Sequence, residues 1–173
     1  MPDPTYLAAN WADVRRRVDE ACHAAGRDPA GVTILPVSKT FGAETVRAAM
    51  ALGLRRFGEN RVQEIRDKAA ALDGCGIEWV VIGHLQTNKA HDVARLASEV
   101  QSLDRPQLAA ALHRQLVAAG RTIDVLVQVK TAAEESKYGL DPAQLPAFLD
   151  SLRDYPTLRP RGLMTLATHS DDP

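Results

Sequence analysis

The chain has 173 residues, a formal net charge of −1 and 45% hydrophobic residues. That suits one globular domain with a real core and argues against a nucleic-acid binder, whose face would be basic. Cys22 and Cys75 lie outside any CxxC pattern, MPDPTY lacks the basic and apolar segments of a signal peptide, and no apolar run approaches membrane-spanning length, so a reduced, cytoplasmic protein with no membrane partner is expected.

Leu7, Trp11, Val14, Val18 and Cys22 recur at three- and four-residue steps, which predicts a helix over Thr5–Ala25 with these residues on one face. The basic run Arg15–Arg17 is interleaved with Asp13, Asp19 and Glu20 and reads as a solvated face. Gly26 and Asp28-Pro29 stop the helix. Thr33–Thr40, TILPVSKT, is a short apolar run ending on a lysine, the pattern of a buried strand. A helix over Ala43–Leu52 follows, closed by Gly53. Arg56–Gly58 is a weak strand, with Asn60 able to cap a helix over Arg61–Leu72. Glu78–Ile82 is the next strand, and Thr87 or Asn88 can cap a helix over Lys89–Leu96. A short strand at Val100–Leu103 leads to Asp104, which can cap a helix with Pro106 in its first turn and its end at Gly120. Ile123–Val129 is a strand, Thr131–Leu140 a loop, and Asp141-Pro142 opens a helix to about Arg153. Pro156 and Pro160 bracket a turn before the last apolar run, Gly162–Leu166.

Strand and helix thus alternate about six times, which predicts a parallel sheet with crossover helices. The spacing leaves two architectures open, a doubly wound sheet and a (β/α)₈ barrel two units short. Either one gathers the C-terminal strand ends on one ligand-binding face. Lys39, Glu59, Asn60, His84, Gln86, Asp104, Lys130 and Thr165 fall at such ends.

Lys39 is the reactive candidate. Only about one lysine in a thousand is neutral at pH 7, and burial at a strand end would raise that fraction and suit Schiff-base chemistry with an aldehyde. The alternative is a solvated lysine. His84 is either a ring-stacking and hydrogen-bonding residue or part of the cap of the following turn. Asn60 is a helix cap or a ligand contact, Met164 core or site, and Lys137 and Tyr138 belong to an exposed loop. His84 and His91 lack metal-ligand spacing. There is no GxGxxG, Walker loop or GxSxG, so nucleotide chemistry has no support.

VSKT, FGEN, IGHLQTNK, SKYGL and RGLMTL, in that order between Leu7 and Leu166, resemble the YggS/PROSC family of pyridoxal 5'-phosphate (PLP) homeostasis proteins. That family is similar to the N-terminal barrel of alanine racemase. The resemblance implies an α/β fold: a TIM (β/α)₈-type barrel with an extra N-terminal helix. It makes residues 1–173 a single PLP-binding domain that lacks the last two β/α units. It implies Lys39 as the Schiff-base lysine for PLP. Val37 would be the small apolar position before it, Asn60 a residue near the cofactor, and His84 a neighbour of the pyridine ring. Met164 would lie at the ring's edge and Lys137 near the pocket mouth.

The implied function is to bind, buffer and deliver PLP, with PLP-dependent apo-enzymes as partners, as a monomer and without an established turnover. The family's phosphate-binding serine- and glycine-rich loop, its arginine and its Gly-Thr pair have no counterpart before Pro173. A fragment of a longer protein with two open strand edges is therefore expected. Two alternatives are a PLP-dependent racemase, which needs a second base, and a PLP-independent Schiff-base lyase, whose lysine sits on a later strand.

Overall fold

The computed structural model describes residues 4–131 and 138–167. Helix α1 spans Pro4–Ala24. It is followed by α2 (Ala43–Met50), β1 (Arg56–Glu59), α3 (Val62–Ala71), β2 (Glu78–Val81), α4 (Ala90–Leu96), β3 (Ala97–Leu103), α5 (Pro106–Ala119), β4 (Ile123–Gln128), α6 (Leu145–Ser151) and β5 (Leu158–Met164). The five strands pair in parallel in the order β1-β2-β3-β4-β5. Each crossover helix therefore returns the chain to the next position in the sheet. A doubly wound sheet reverses its order at a switch point; this one does not, so that alternative is set aside.

Strand residues alternate between two faces, and here the faces differ sharply. Phe57, Trp79, Val81, Val100, Leu103, Val125 and Val127 form one core with Val46, Ile65, Val93, Leu108, Leu112 and Leu116 from the helices. The opposite face begins in charge. Arg56 donates to Glu99 at 2.6 Å and lies 3.2 Å from Glu78. Asp124 takes Arg159 at 2.6 Å and Arg161 at 3.1 Å. Burial would raise the Asp124 carboxyl, but hydrogen bonds from Arg161 and Arg159 win and hold it below the usual carboxylate range.

Local signals explain most element ends. Gly120 takes the left-handed conformation (φ 62°) at the end of α5, and its amide reaches Leu116 and Val117 carbonyls. Asp28 and Asp141 each accept the amide two residues on and open a 3₁₀ turn that begins with proline. On α1, Cys22 is buried and Leu7 packs on the core, while Val14 is 41% exposed.

Several expectations need correction. Thr33–Thr40 is not a full strand: Val37 alone pairs, in parallel with Gly58, and it is 42% exposed rather than buried. Among the described residues this segment has a partner on one side only, so it has half the ladder that holds a central strand. Asn60 and Asp104 do not cap helices. Arg61 and Arg105 stand at those positions with no side-chain cap bond. Thr87 and Asn88 lie inside a 3₁₀ turn, Thr87–Lys89, that precedes α4. β3 begins three residues earlier than expected, and β5 runs through Pro160 instead of starting after it. β5 is the outermost described strand, with a register shift between Val125 and Leu126 beside Pro160. An outer strand tolerates a residue with no N–H.

Candidate functional site

Register and alternation place the expected residues. Gly58 belongs to the face away from the helices, because a Cβ there would lie 3.3 Å from Val37, Leu35 and Ile82 side chains. Val37 shares that face, and Lys39 follows two residues on, in the exposed turn beyond the bridge. Asn60 follows Gly58 at the tip of β1, and His84 follows Ile82 beyond the tip of β2. Gln128 and Met164 are register partners at the ends of β4 and β5. Val37, Asn60, His84 and Met164 thus come to the C-terminal end of one sheet face, and Lys39 lies in the turn past the Val37 bridge at the same end of the sheet. Lys137 lies outside the described residues.

The tips are joined by specific contacts. A Cβ on Gly83 would lie 2.7 Å from Asn60 Cα, so only glycine lets the two loops come this close. His84 Nδ1 lies 3.4 Å from Asp104, and its side chain is 27% exposed. The Tyr138 ring stacks on it with centroids 3.7 Å apart and planes 16° apart. The Tyr138 carbonyl accepts Gln128 Nε2 at 3.0 Å. Asp104 also pairs with Arg105, which reaches the Leu85 carbonyl at 2.7 Å. Thr165, just past β5, donates to the Val129 carbonyl at 3.0 Å and shares a 2.6 Å hydrogen bond with Thr131.

Lys39 is exposed, not desolvated as the sequence suggested. What is buried is the apparatus beside it. Ser38 is 6% exposed, Lys68 6% and Glu59 0%. Ser38 Oγ donates to Glu59 at 2.6 Å, and Lys68 Nζ donates to the same Glu59 oxygen at 2.5 Å, to the Ser38 carbonyl at 2.7 Å and to Glu64 at 3.1 Å. Glu64 in turn accepts the Thr40 amide at 2.9 Å. The Thr40 amide is the main reason the Glu64 carboxyl sits below its usual range; partial burial opposes the shift, and Lys68 and Arg61 add to it. Thr40 has φ 68°, a left-handed conformation that costs a β-branched residue about 1–3 kcal/mol. The other Glu59 oxygen is buried without a hydrogen-bond partner among the described residues.

Sequence reasoning placed Glu59 at a strand end and missed Lys68 and Glu64. A signal was available. Lys68 falls on the stripe Val62, Ile65, Leu72 that α3 and its cap turn inward, and a lysine on an apolar stripe requires an anionic partner.

A family model described as "Alanine racemase, N-terminal domain" matches residues 3–173. A pyridoxal phosphate homeostasis protein of Pseudomonas aeruginosa is 44% identical over 160 residues, spanning 92% of this chain and 70% of its own length. One from Escherichia coli is 38% identical over 163 residues, with the same coverage. The chain belongs to the pyridoxal phosphate homeostasis family. Among solved structures, PipY of Synechococcus elongatus with PLP bound superposes with a TM-score of 0.78 at 35% identity, covering 90% of this chain and 72% of that one. The alanine racemase of E. faecalis, at 17% identity, gives 0.67 over 92% of this chain and 43% of its own. Family and fold therefore agree: an α/β, parallel-sheet fold like the alanine racemase N-terminal barrel. In this member of the homeostasis family, the strand tips carry a stacked imidazole and a thioether, and the turn past the Val37 bridge carries an exposed primary amine.

Proposed function

We propose that this chain binds PLP through Lys39 and serves in PLP homeostasis in the cytoplasm, buffering the cofactor and passing it as a monomer to PLP-dependent apo-enzymes. Its sheet would form part of a TIM-type barrel, with residues 1–173 in a single domain. What supports the reading is Lys39 in the exposed turn just past the Val37–Gly58 bridge, at the same C-terminal end of the sheet as Asn60, His84 and Met164. The named homeostasis relatives and the PLP-bound PipY support it.

The residues present fit such a cofactor. An exposed amine is accessible to an aldehyde, an aromatic face at His84 suits a flat heteroaromatic ring, and Val37 and Met164 offer apolar edges. When bound, PLP supplies an aldehyde carbon: the lysine nitrogen forms a C=N bond to it and the carbonyl oxygen leaves as water. Lys137 would lie near the mouth of the site. A spectroscopic PLP titration tests the reading, followed by borohydride reduction and peptide mass mapping. Wild-type protein should develop a visible band and carry the reduced adduct on Lys39. Lys39→Ala should show neither. Adduct spread evenly over surface lysines would refute the assignment.

A further inference from the structure

Lys39 is exposed, yet its two neighbours are tied down from below. Ser38 is held at both ends, its hydroxyl by Glu59 and its carbonyl by Lys68. Thr40 is held through its amide by Glu64. Lys68 touches all three anchoring points. From this geometry we infer that Lys68, with Glu59 and Glu64, is the positioning device of Lys39. It fixes the backbone on either side of the amine so that the side chain leaves toward the strand-tip face. The inference rests on the PLP reading above and adds the residues that make it work.

The chemistry favours a charged clamp here. The segment's ladder ends at a single parallel bridge, Val37 with Gly58, so beyond Ser38 no backbone pairing with another strand fixes the direction of the chain among the described residues, and condensation with an aldehyde needs the amine held at a fixed approach. A buried ammonium shared by two carboxylates and a carbonyl has three donors and uses them all in different directions. The left-handed turn at Thr40 redirects the chain immediately after Lys39. Relaxing that turn would swing the amine without touching any group that contacts the cofactor. Lys68 is thus a positioning residue and forms no bond to PLP.

The test compares two ligands on wild type, Lys68→Met, Lys68→Arg and the double variant Glu59→Gln/Lys68→Met, which removes both buried charges and protects the fold. PLP can form the covalent link; pyridoxamine 5'-phosphate has no aldehyde and cannot. Loss of positioning should weaken PLP binding about tenfold or more in Lys68→Met and in the double variant. Pyridoxamine 5'-phosphate affinity should stay within about twofold, and Lys68→Arg should recover part of the loss. In PLP-free protein, amide exchange at Thr40 should rise about tenfold in the same variants, measured by NMR. Equal losses for both ligands, or unchanged exchange at Thr40, overturn the inference. A wild-type adduct on Lys39 that survives intact in the double variant overturns it too, while leaving the PLP reading standing. No adduct in wild type overturns both.

Discussion

Two segments that both read from the sequence as short apolar strands behave differently. Ile123–Gln128 is a strand with neighbours on both sides, and Ile123, Val125 and Val127 are each 0% exposed. Thr33–Thr40 is also rich in β-branched residues, but it makes one bridge and leaves Val37 42% exposed. A strand is therefore less a property of its own residues than of how many partners it finds. The poorly paired segment carries the candidate amine, and it is fixed by side chains where β4 is fixed by its ladder.

The contrast can be broken most severely at Lys68. Lys68→Ala leaves Glu59 as a buried, uncompensated charge and should cost about 3–5 kcal/mol, read as a large fall in the chemical-denaturation midpoint. A comparison of matched truncations sharpens the point. Val125→Ala should cost about 2 kcal/mol through lost burial and a residual cavity. Val37→Ala should fall within about 0.5 kcal/mol, as for an exposed site. Equal losses at the two positions would mean that the segments are not energetically distinct.

The smallest effect concerns pH. Glu64 has a lowered folded-state pKa, so its contribution is fully present above the ordinary glutamate value of about 4.3. It is lost as pH falls through the lower folded value. Amide exchange at Thr40, corrected for its intrinsic pH dependence, should therefore accelerate in that acidic window while the β4 amides stay protected.

Much of this was legible in the chain. The alternation of elements, the glycine stop at Gly120, the end of α1 before Gly26 and Asp28-Pro29, and the aspartate-proline opening at Asp141 are local effects, and each appears where its residues predict. The linked motifs pointed to Asn60, His84 and Met164, which lie at the strand tips of one end of the sheet, and to Lys39, in the turn past the Val37 bridge. The failures have non-local causes. Thr33–Thr40 lost its strand because pairing depends on neighbours that periodicity cannot count. Asn60 and Asp104 have good capping chemistry, yet the helices begin one residue later. Asp104 faces His84 and Arg105, and Asn60 lies in the close approach to Gly83. Lys68 was overlooked because a lysine inside a helix reads as solvated unless its place on the apolar stripe is weighed.

The outer margin of the described sheet at β5 carries a detail with a practical meaning. Pro160 interrupts that strand, beside the register shift with β4. This margin cannot offer a continuous row of amide donors to an incoming chain. Replacing the imino acid to tidy the sheet would turn a poor template into a better one, favouring sticky self-association at high protein concentration.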